Sequence, residues 1–245
     1  MVEVLTCVVP IRNEAGNILS LIPEIRSIKE ISEVIIVEGG STDDSFEIAQ
    51  ALSKKDPCIK VLRQKGKGKF DAVLDGLHHA RNERIIIWDA DGTISREDTI
   101  ELIRLSLKSE RMVTGDRLRG KREKSSMRPL NLVGNYFFAS LFALLFRRRT
   151  FDTLCGTKIF PKRILNSVPA EVLESDPFGD FSILIGAFLS QIPIDSIPTR
   201  YYARRYGSTN IRRWRGGILL LKIYIRSIPA CRNLRKVIHE EKNSR

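Results

Sequence analysis

The chain has 245 residues, 42% of them hydrophobic, which is enough for one α/β domain with a sizeable core. Its formal net charge of +12 favours an anionic partner, such as nucleic acid, a phosphorylated substrate or an anionic membrane surface. Four widely spaced cysteines without a Cys-x-x-Cys pair exclude a disulfide-stapled class and indicate reduced, mostly buried thiols in a cytosolic protein. Glu3 interrupts the apolar start of the chain, so we expect no signal peptide.

The first 115 residues alternate between segments typical of strands and segments typical of helices. In chain order, the predicted strands cover 4–9, 34–37, 59–62, 85–88 and 112–114. The predicted helices between them cover 17–28, 44–52, 70–80 and 96–107, the last with Ser95 as its N-cap. This alternation predicts an α/β fold with a mostly parallel sheet and helices on both faces. Ligands of such sheets bind at the carboxyl ends of the strands.

The second half of the chain is more basic and contains two long apolar segments. Residues 111–149 carry a net charge of +8 and residues 200–245 a net charge of +11, while the remainder sums to −7. Segment 129–146 has no charge but is short for a membrane span, so we predict a core or interfacial helix. Segment 216–228 is a second apolar helix beside clustered Lys and Arg, a pattern typical of helices on anionic bilayers. We therefore predict a main domain over 1–210 and a basic, amphipathic helical extension over 211–245.

Asp89-Ala90-Asp91 is the most informative motif, because it follows the apolar run 84–87 where a strand is expected to end. Residues i and i+2 of a strand point to the same side, so both carboxylates can share one hard divalent cation. Mg²⁺ typically takes one or two carboxylates together with substrate phosphates. Since Asp-x-Asp also occurs in turns by chance, the meaning of the motif depends on the loops around it.

Other strand ends carry polar or glycine-rich loops. Segments 9–14 (VPIRNE) and 37–44 (VEGGSTDD) are suited to hold a base or ribose, or are ordinary capped loops. The loop 66–69 (GKGK) is suited to bring a cation to a phosphate, or is a solvated loop; it lacks the Walker A spacing. No Gly-x-Gly-x-x-Gly opens the first helix, which argues against a dinucleotide-dependent oxidoreductase.

Taken in this order, the motifs resemble the GT-A glycosyltransferases of family 2, and most of all the dolichyl- or polyprenyl-phosphate sugar synthases. The likeness continues through 114–117 (TGDR), 152–158 (DTLCGTK), 178–181 (FGDF) and 205–210 (RYGSTN), and covers about residues 2–215. It implies a GT-A, Rossmann-like fold and an inverting hexosyltransferase. It also implies a UDP- or GDP-sugar donor and Mg²⁺ or Mn²⁺ as the cofactor.

The resemblance and the chemistry of the loops together assign roles to individual residues. The nucleotide-sugar pocket is expected to include Pro10, Arg12, Glu14, Val37, Glu38, Lys67, Asp89 and Ala90. The metal is expected on Asp89, Asp91 and Thr93, and the catalytic carboxylates are Asp89, Asp91 and Asp180. The acceptor or its phosphate is expected to meet Arg117, Arg128, Arg205 and Ser208. The chain departs from the family at 38–39, where Glu-Gly replaces the usual Asp-Asp and leaves UDP or GDP open.

Two classes of acceptor fit these residues. A polyprenyl or dolichyl phosphate is already anionic and needs cations, and it implies peripheral contact with the anionic inner face of a membrane. A hydroxyl of a glycan or small molecule needs a general base, for which Asp180 is the candidate unless it is a helix N-cap or turn residue. A catalytically inactive relative is a further alternative. A basic nucleic-acid-binding protein is the remote one, because no such motif is present and the acidic pair stays unexplained.

Overall fold

The architecture is a single sheet flanked by helices, in a computed structural model that describes residues 4–124, 126–147, 152–204, 206 and 213–243. The strands are β1 Leu5–Ile11, β2 Ile31–Glu38, β3 Ile59–Arg63, β4 Arg84–Ile87, β5 Met112–Asp116, β6 Lys158–Pro161 and β7 Ile194–Pro198. The helices are α1 Ala15–Arg26, α2 Ser45–Lys55, α3 Lys69–His79, α4 Arg96–Ser106, α5 Pro129–Phe146, α6 Ala170–Leu173, α7 Asp180–Leu189 and α8 Arg213–Asn243, with a 3-10 helix at Lys162–Ser167.

The seven strands follow the order β3-β2-β1-β4-β6-β5-β7. Strands β1 to β4 are mutually parallel, and β5 is parallel to β7. Strand β6 is antiparallel to both β4 and β5, and so separates the fourth and fifth predicted strands. The predicted α/β class with a mostly parallel sheet is confirmed. Strands β6 and β7 were not predicted, because each lies outside the regular strand–helix alternation and pairs with strands from distant parts of the chain.

Two hydrophobic cores lie on opposite faces of the sheet, because successive side chains of a strand point in opposite directions. Val8 of β1 faces the core formed with α3, α5, α7 and α8. Its neighbours Cys7 and Val9 face the core formed with α1, α2 and α4. All four cysteines are free and three of them are buried, in agreement with the prediction.

Helix α5 and helix α8 pack together over α7. The Phe142 ring of α5 lies 4.7 Å from that of Phe181 and 5.4 Å from that of Tyr224, and Tyr224 Oη donates to Leu141 O at 3.0 Å. Among the described residues, α5 alone is long and apolar enough to cross a membrane, a test that core helices of soluble proteins also pass. One third of it is buried against the rest of the chain.

Candidate active site

Asp89 and Asp91 follow β4 at the carboxyl edge of the four parallel strands. Lys69 at the start of α3 places Nζ 2.6 Å from Asp89 Oδ1. Burial acts to lower the pKa of Lys69, but the charges of Asp89, Asp180 and Asp91 outweigh it and raise the pKa. Burial likewise acts to raise the pKa of Asp89, but Lys69, and then Lys158 and Arg117, lower it. The Lys69 ammonium group is therefore influenced by the charges of three carboxylates, of which Asp89 contacts it directly.

Asp91 is held by two different partners. Its Oδ1 accepts from Thr93 Oγ1 at 2.8 Å, and its Oδ2 accepts from Arg204 Nη2 at 3.0 Å. Arg204 Nη1 also donates to Glu14 Oε1 at 2.7 Å. The Arg204 guanidinium thus connects the loop that follows β7 with the N-terminus of α1. Burial raises the pKa of the Glu14 carboxyl, and Arg204 opposes that shift only in part.

Asp180 is the first residue of α7, whose N-cap is Gly179. The capping role belongs to Asp176, whose carboxylate accepts from the backbone N–H groups of residues 178, 179 and 182 at 2.9–3.0 Å. Asp180 instead pairs with Lys158 Nζ, which is fully buried and also donates to Cys155 O. A buried ammonium needs such partners, because an unpaired charge in the interior is strongly destabilising. Asp180 is therefore free of the capping role that was the alternative interpretation of its motif.

Arg117 contributes positive charge near Asp89 and is held by the buried Asp152. Its Nε and Nη2 donate to the buried Asp152 at 2.5 and 2.8 Å, and its guanidinium carbon lies 5.1 Å from the centre of the Tyr201 ring. Burial acts to raise the pKa of Asp152, but Arg117 outweighs it and lowers the pKa. Asp152 thus orients an arginine that contributes positive charge next to Asp89.

Gly156 allows the segment after α5 to approach Asp89 closely. A Cβ built on Gly156 stands 1.9 Å from Asp89 Oδ2 and 2.6 Å from Lys69 Nζ. No side chain fits in this space unless the Lys69–Asp89 pair moves. The requirement for glycine here comes from the pair itself.

The residues predicted to line the nucleotide pocket lie at the ends of β1 and β2, in different environments. Pro10 is half-buried and Arg12 is exposed. Glu38 is 6% exposed, and its Oε1 accepts from Ser41 N. Val37 and Ala90 are buried in the two cores, so their side chains face the interior.

The remaining predicted residues do not gather at Asp89. Lys67 lies in the exposed loop before α3, where its backbone N donates to Asp71 Oδ2 at 2.7 Å. Arg128 is exposed and is the N-cap residue of α5. Arg205 and Ser208 lie outside the described residues.

The donor set at this edge fits a hard divalent cation that is completed by substrate oxygens. Asp89 and Asp91 supply carboxylate oxygens, and the Thr93 hydroxyl is within hydrogen-bond distance of Asp91. Asp89 pairs with Lys69 and Asp91 pairs with Arg204, so each carboxylate already contacts a positively charged side chain. Within the described ranges, no group of three or more His, Cys, Asp or Glu side chains forms a protein-only metal cage.

Sequence reasoning missed three cations of this site: Lys69, Lys158 and Arg204. Lys69 stands two residues after the predicted Lys67 and contacts Asp89 directly, while the donor-binding role of Lys67 remains a prediction. Lys158 begins the apolar segment KIFP, where a lone charge signals a buried partner. Arg204 is 113 residues from Asp91, and no local pattern links the two.

Comparison with known proteins points to one family. Residues 6–168 match the family model of Glycosyl transferase family 2, which is more than half of the chain. Glycosyltransferase AglJ of Haloferax volcanii is 31% identical over 222 residues, covering 89% of this chain and 70% of AglJ. Dolichyl-phosphate beta-glucosyltransferase ALG5C of Trichomonas vaginalis is 33% identical over 175 residues, covering 64% and 51%. The chain thus spans about half the length of this second relative.

A solved structure has the same architecture. Glucosyl-3-phosphoglycerate synthase of Mycobacterium tuberculosis, in complex with Mn²⁺, UDP-glucose and phosphoglyceric acid, aligns with a TM-score of 0.69. The alignment covers 93% of this chain and 80% of that one, at 16% sequence identity. At this identity the likeness concerns the fold, and it confirms the predicted GT-A arrangement.

Proposed function

The chain belongs to glycosyltransferase family 2, and on that premise we propose that it transfers a sugar from a nucleotide-sugar donor to a polyprenyl or dolichyl phosphate. The observation that carries this proposal is the position of Asp89, paired with Lys69, and Asp91, paired with Arg204, at the carboxyl edge of the parallel strands. These two carboxylates suit a divalent cation. The lysine and arginine side chains next to these carboxylates suit the binding of anionic substrates.

The residues proposed to bind the metal, the diphosphate and the nucleoside of the donor lie at different positions along the carboxyl edge of the sheet. Asp89 and Asp91 would hold Mg²⁺ or Mn²⁺, with Thr93 beside them. A divalent cation bound there supplies a Lewis acid that neutralises and orients the leaving diphosphate. Lys69 and Arg204 add positive charge next to the same phosphates. The loops after β1 and β2 receive the nucleoside. The mycobacterial synthase binds Mn²⁺ and UDP-glucose, which supports a divalent cation and a nucleotide-sugar donor as the ligand classes.

On the acceptor side, positive charge is available without a dedicated base. Arg117 has a side chain 12% exposed and is oriented by Asp152, and Lys158 neutralises Asp180. A lipid phosphate attacks as an anion, so the protein needs to hold its oxygens and exclude water. Attack from the side opposite the leaving diphosphate inverts the anomeric centre. The relative ALG5C is named for transfer to dolichyl phosphate, which supports this acceptor class.

The apolar faces of α5 and α8 suit contact with an anionic bilayer. On α5, Leu130, Val133, Phe137 and Leu144 are 47–73% exposed and recur at helical spacing. On α8, exposed Ile218, Leu221 and Ile225 stand beside exposed Lys222 and Arg226, as in helices that bind anionic lipid surfaces. This surface presents a cytoplasmic enzyme peripherally to the membrane that carries its acceptor.

A second acceptor class is favoured by one observation. Asp180 does not cap α7, so its position near Lys69 is available for chemistry. With a hydroxyl acceptor, Asp180 would take the proton as general base. The mycobacterial synthase, which binds phosphoglyceric acid, shows that this fold accommodates a small phosphorylated ligand.

Donor binding tests the proposal directly. UDP- and GDP-sugars with Mn²⁺ or Mg²⁺ are screened by thermal unfolding, and a donor at 100 times its Kd is expected to stabilise the protein by about 2.7 kcal/mol. Asp91→Ala removes the cation-dependent part of this shift. Asp195→Ala, which loses only the surface pair with Arg111, leaves it in place. Absence of any shift with every donor and both cations overturns the proposal.

A further inference from the structure

Gly39, just beyond β2, leaves a gap that the side chain of Gln64 fills. A Cβ built on Gly39 stands 2.7 Å from Gln64 Oε1 and 3.9 Å from Arg12 Cβ. Gly39 is not among the glycines with positive φ, so its backbone is open to any residue. The limited space next to Gln64 is therefore what favours glycine at position 39. A larger residue would displace the Gln64 side-chain amide.

Backbone hydrogen bonds hold Gln64 at the sheet edge. Its N donates to Glu38 O at 2.8 Å, and Gly39 N donates to Ile11 O at 2.9 Å. These bonds continue the parallel pairing of β1, β2 and β3 one residue past the strands. Gln64 therefore stands in line with the loops that receive the nucleoside in the proposed function.

The side-chain amide of Gln64 has a defined orientation. Its Nε2 donates to Gly68 O at 2.6 Å. An amide carries two N–H donors and one acceptor oxygen, so a second N–H remains for another partner. Within the described part of the chain, no donor reaches Oε1. Gln64 thus presents one acceptor and one donor side by side.

The distance along the edge suits a nucleotide. Neighbouring strands lie about 4.8 Å apart, so the order β3-β2-β1-β4 places the end of β4 about 10 Å from that of β2 and about 14 Å from that of β3. A donor with its diphosphate at Asp89 and Asp91 extends along this edge, and its base comes to lie near Gly39 and Gln64.

We propose, resting on the proposed function, that Gln64 reads the nucleobase and selects uracil over guanine, which makes the donor a UDP-sugar. The pairing edge of uracil has one imide N–H between two carbonyl oxygens, and the acceptor and donor of a carboxamide match it. Guanine presents two adjacent N–H donors, which a carboxylate matches better. The neighbouring Glu38 carboxylate is buried and already accepts from Ser41 N.

Calorimetric titration with UDP and GDP in the presence of Mn²⁺ tests this assignment. The native chain is expected to bind UDP at least about tenfold more tightly than GDP. Gln64→Ala weakens UDP binding about threefold to tenfold, the effect of one or two hydrogen bonds, and leaves GDP unchanged. Gln64→Glu replaces the donor by an acceptor and moves the preference toward GDP. Gln50→Ala, on the exposed side of α2, is the matched control and changes neither affinity.

Gly39→Ala provides an independent variant, because its methyl group displaces the Gln64 amide. It is expected to weaken UDP binding as Gln64→Ala does, and the double variant shows no further loss, since both remove one interaction. A preference for GDP in the native chain, or an unchanged UDP-to-GDP ratio in the Gln64 variants, overturns the assignment while the proposed function stands. If neither nucleotide binds, the proposed function fails and the assignment falls with it.

Discussion

The guanidinium of Arg204 lies 3.0 Å from Asp91 Oδ2, on the carboxylate that we propose as a metal ligand. It also donates to Glu14, so it holds the loop that follows β7 against the residues that follow β4 and β1. Tyr202 N donates to Thr93 O at 2.9 Å, which holds the same loop against the acidic pair. The positively charged Arg204 side chain therefore lies where, on our proposal, a divalent cation and the donor phosphates would bind.

Arg204→Ala is expected to raise the affinity for Mn²⁺ without nucleotide about twofold to fivefold. In the native chain, Mn²⁺ must break the partly exposed Arg204–Asp91 pair before it binds Asp91. Such pairs contribute up to about 1 kcal/mol. Electron paramagnetic resonance of free Mn²⁺ measures this affinity independently of turnover. Arg200→Ala, which loses its pairs with Glu97 and Asp98 and its hydrogen bond to Ser95 Oγ but no contact with Asp91, is the control. If the Mn²⁺ affinity of Arg204→Ala is unchanged or lower, Arg204 does not compete with the cation for Asp91.

Asp180→Asn distinguishes the two acceptor classes. With a lipid phosphate we expect a loss of kcat below about tenfold, because no proton is removed. The substitution also weakens the partner set of the buried Lys158, which keeps its hydrogen bond to Cys155 O, so circular dichroism verifies the fold of the variant. A general base typically contributes about 10²–10⁴-fold, so a loss of that size supports a hydroxyl acceptor. Steady-state kinetics with saturating donor measure the effect, and Asp195→Asn serves as the control for a lost carboxylate elsewhere.

Gly156→Ala is expected to abolish cation-dependent turnover while the fold is retained. The added methyl group lies 1.9 Å from Asp89 Oδ2 and forces the Lys69–Asp89 pair apart, and both side chains have room to move toward solvent. Far-ultraviolet circular dichroism verifies the fold beside the activity assay. Gly217→Ala in α8 meets nothing within 4 Å and is expected to leave turnover unchanged. Full activity in Gly156→Ala refutes the packing described for this site.

The Asp152–Arg117 pair predicts a defined pH dependence of stability. The pKa of Asp152 lies below its ordinary 3.8 in the folded protein, so its contribution is complete above that value and is lost as pH falls toward the folded pKa. Asp152→Asn leaves Arg117 unpaired and is expected to cost roughly 3 kcal/mol at pH 7. Urea unfolding at pH 7 and below pH 4 measures the difference. It should narrow in acid, and a constant difference contradicts the assignment.

Leu144→Gln is expected to weaken binding to anionic vesicles, because Leu144 is 73% exposed on the apolar face of α5. Co-sedimentation at low and high salt measures the binding, and high salt weakens the contribution of Lys222 and Arg226. Leu19→Gln on α1, also exposed but on the other face of the sheet, is the matched control. Absence of vesicle binding by the native chain at both salt concentrations excludes the membrane contact.

Local patterns predicted the parts of the fold that depend on local chemistry. Strands β1 to β5 and helices α1 to α4 follow periodicity and caps, and Ser95 accepts from Asp98 N at 3.1 Å as its predicted N-cap role requires. Strands β6 and β7 were missed, because their pairing is decided by tertiary contacts.

The site divides in the same way. Asp89 and Asp91 were predicted, because their spacing places both carboxylates at one strand end. Lys158 and Arg204 meet their carboxylates only through the fold, across 22 and 113 residues. The lone charge of Lys158 in an apolar segment indicates a buried partner, but nothing local identifies Asp180 as that partner or links Arg204 to Asp91.

The most direct test of the central claim is a transfer assay with two acceptors that share one isoprenoid chain, phytanyl phosphate and phytanol. Each is incubated with a radiolabelled sugar nucleotide and Mn²⁺, and the glycolipid product is separated by chromatography. We expect sugar on phytanyl phosphate, none on phytanol, and no product with Asp91→Asn. Transfer to phytanol alone, or transfer that survives Asp91→Asn, contradicts the account.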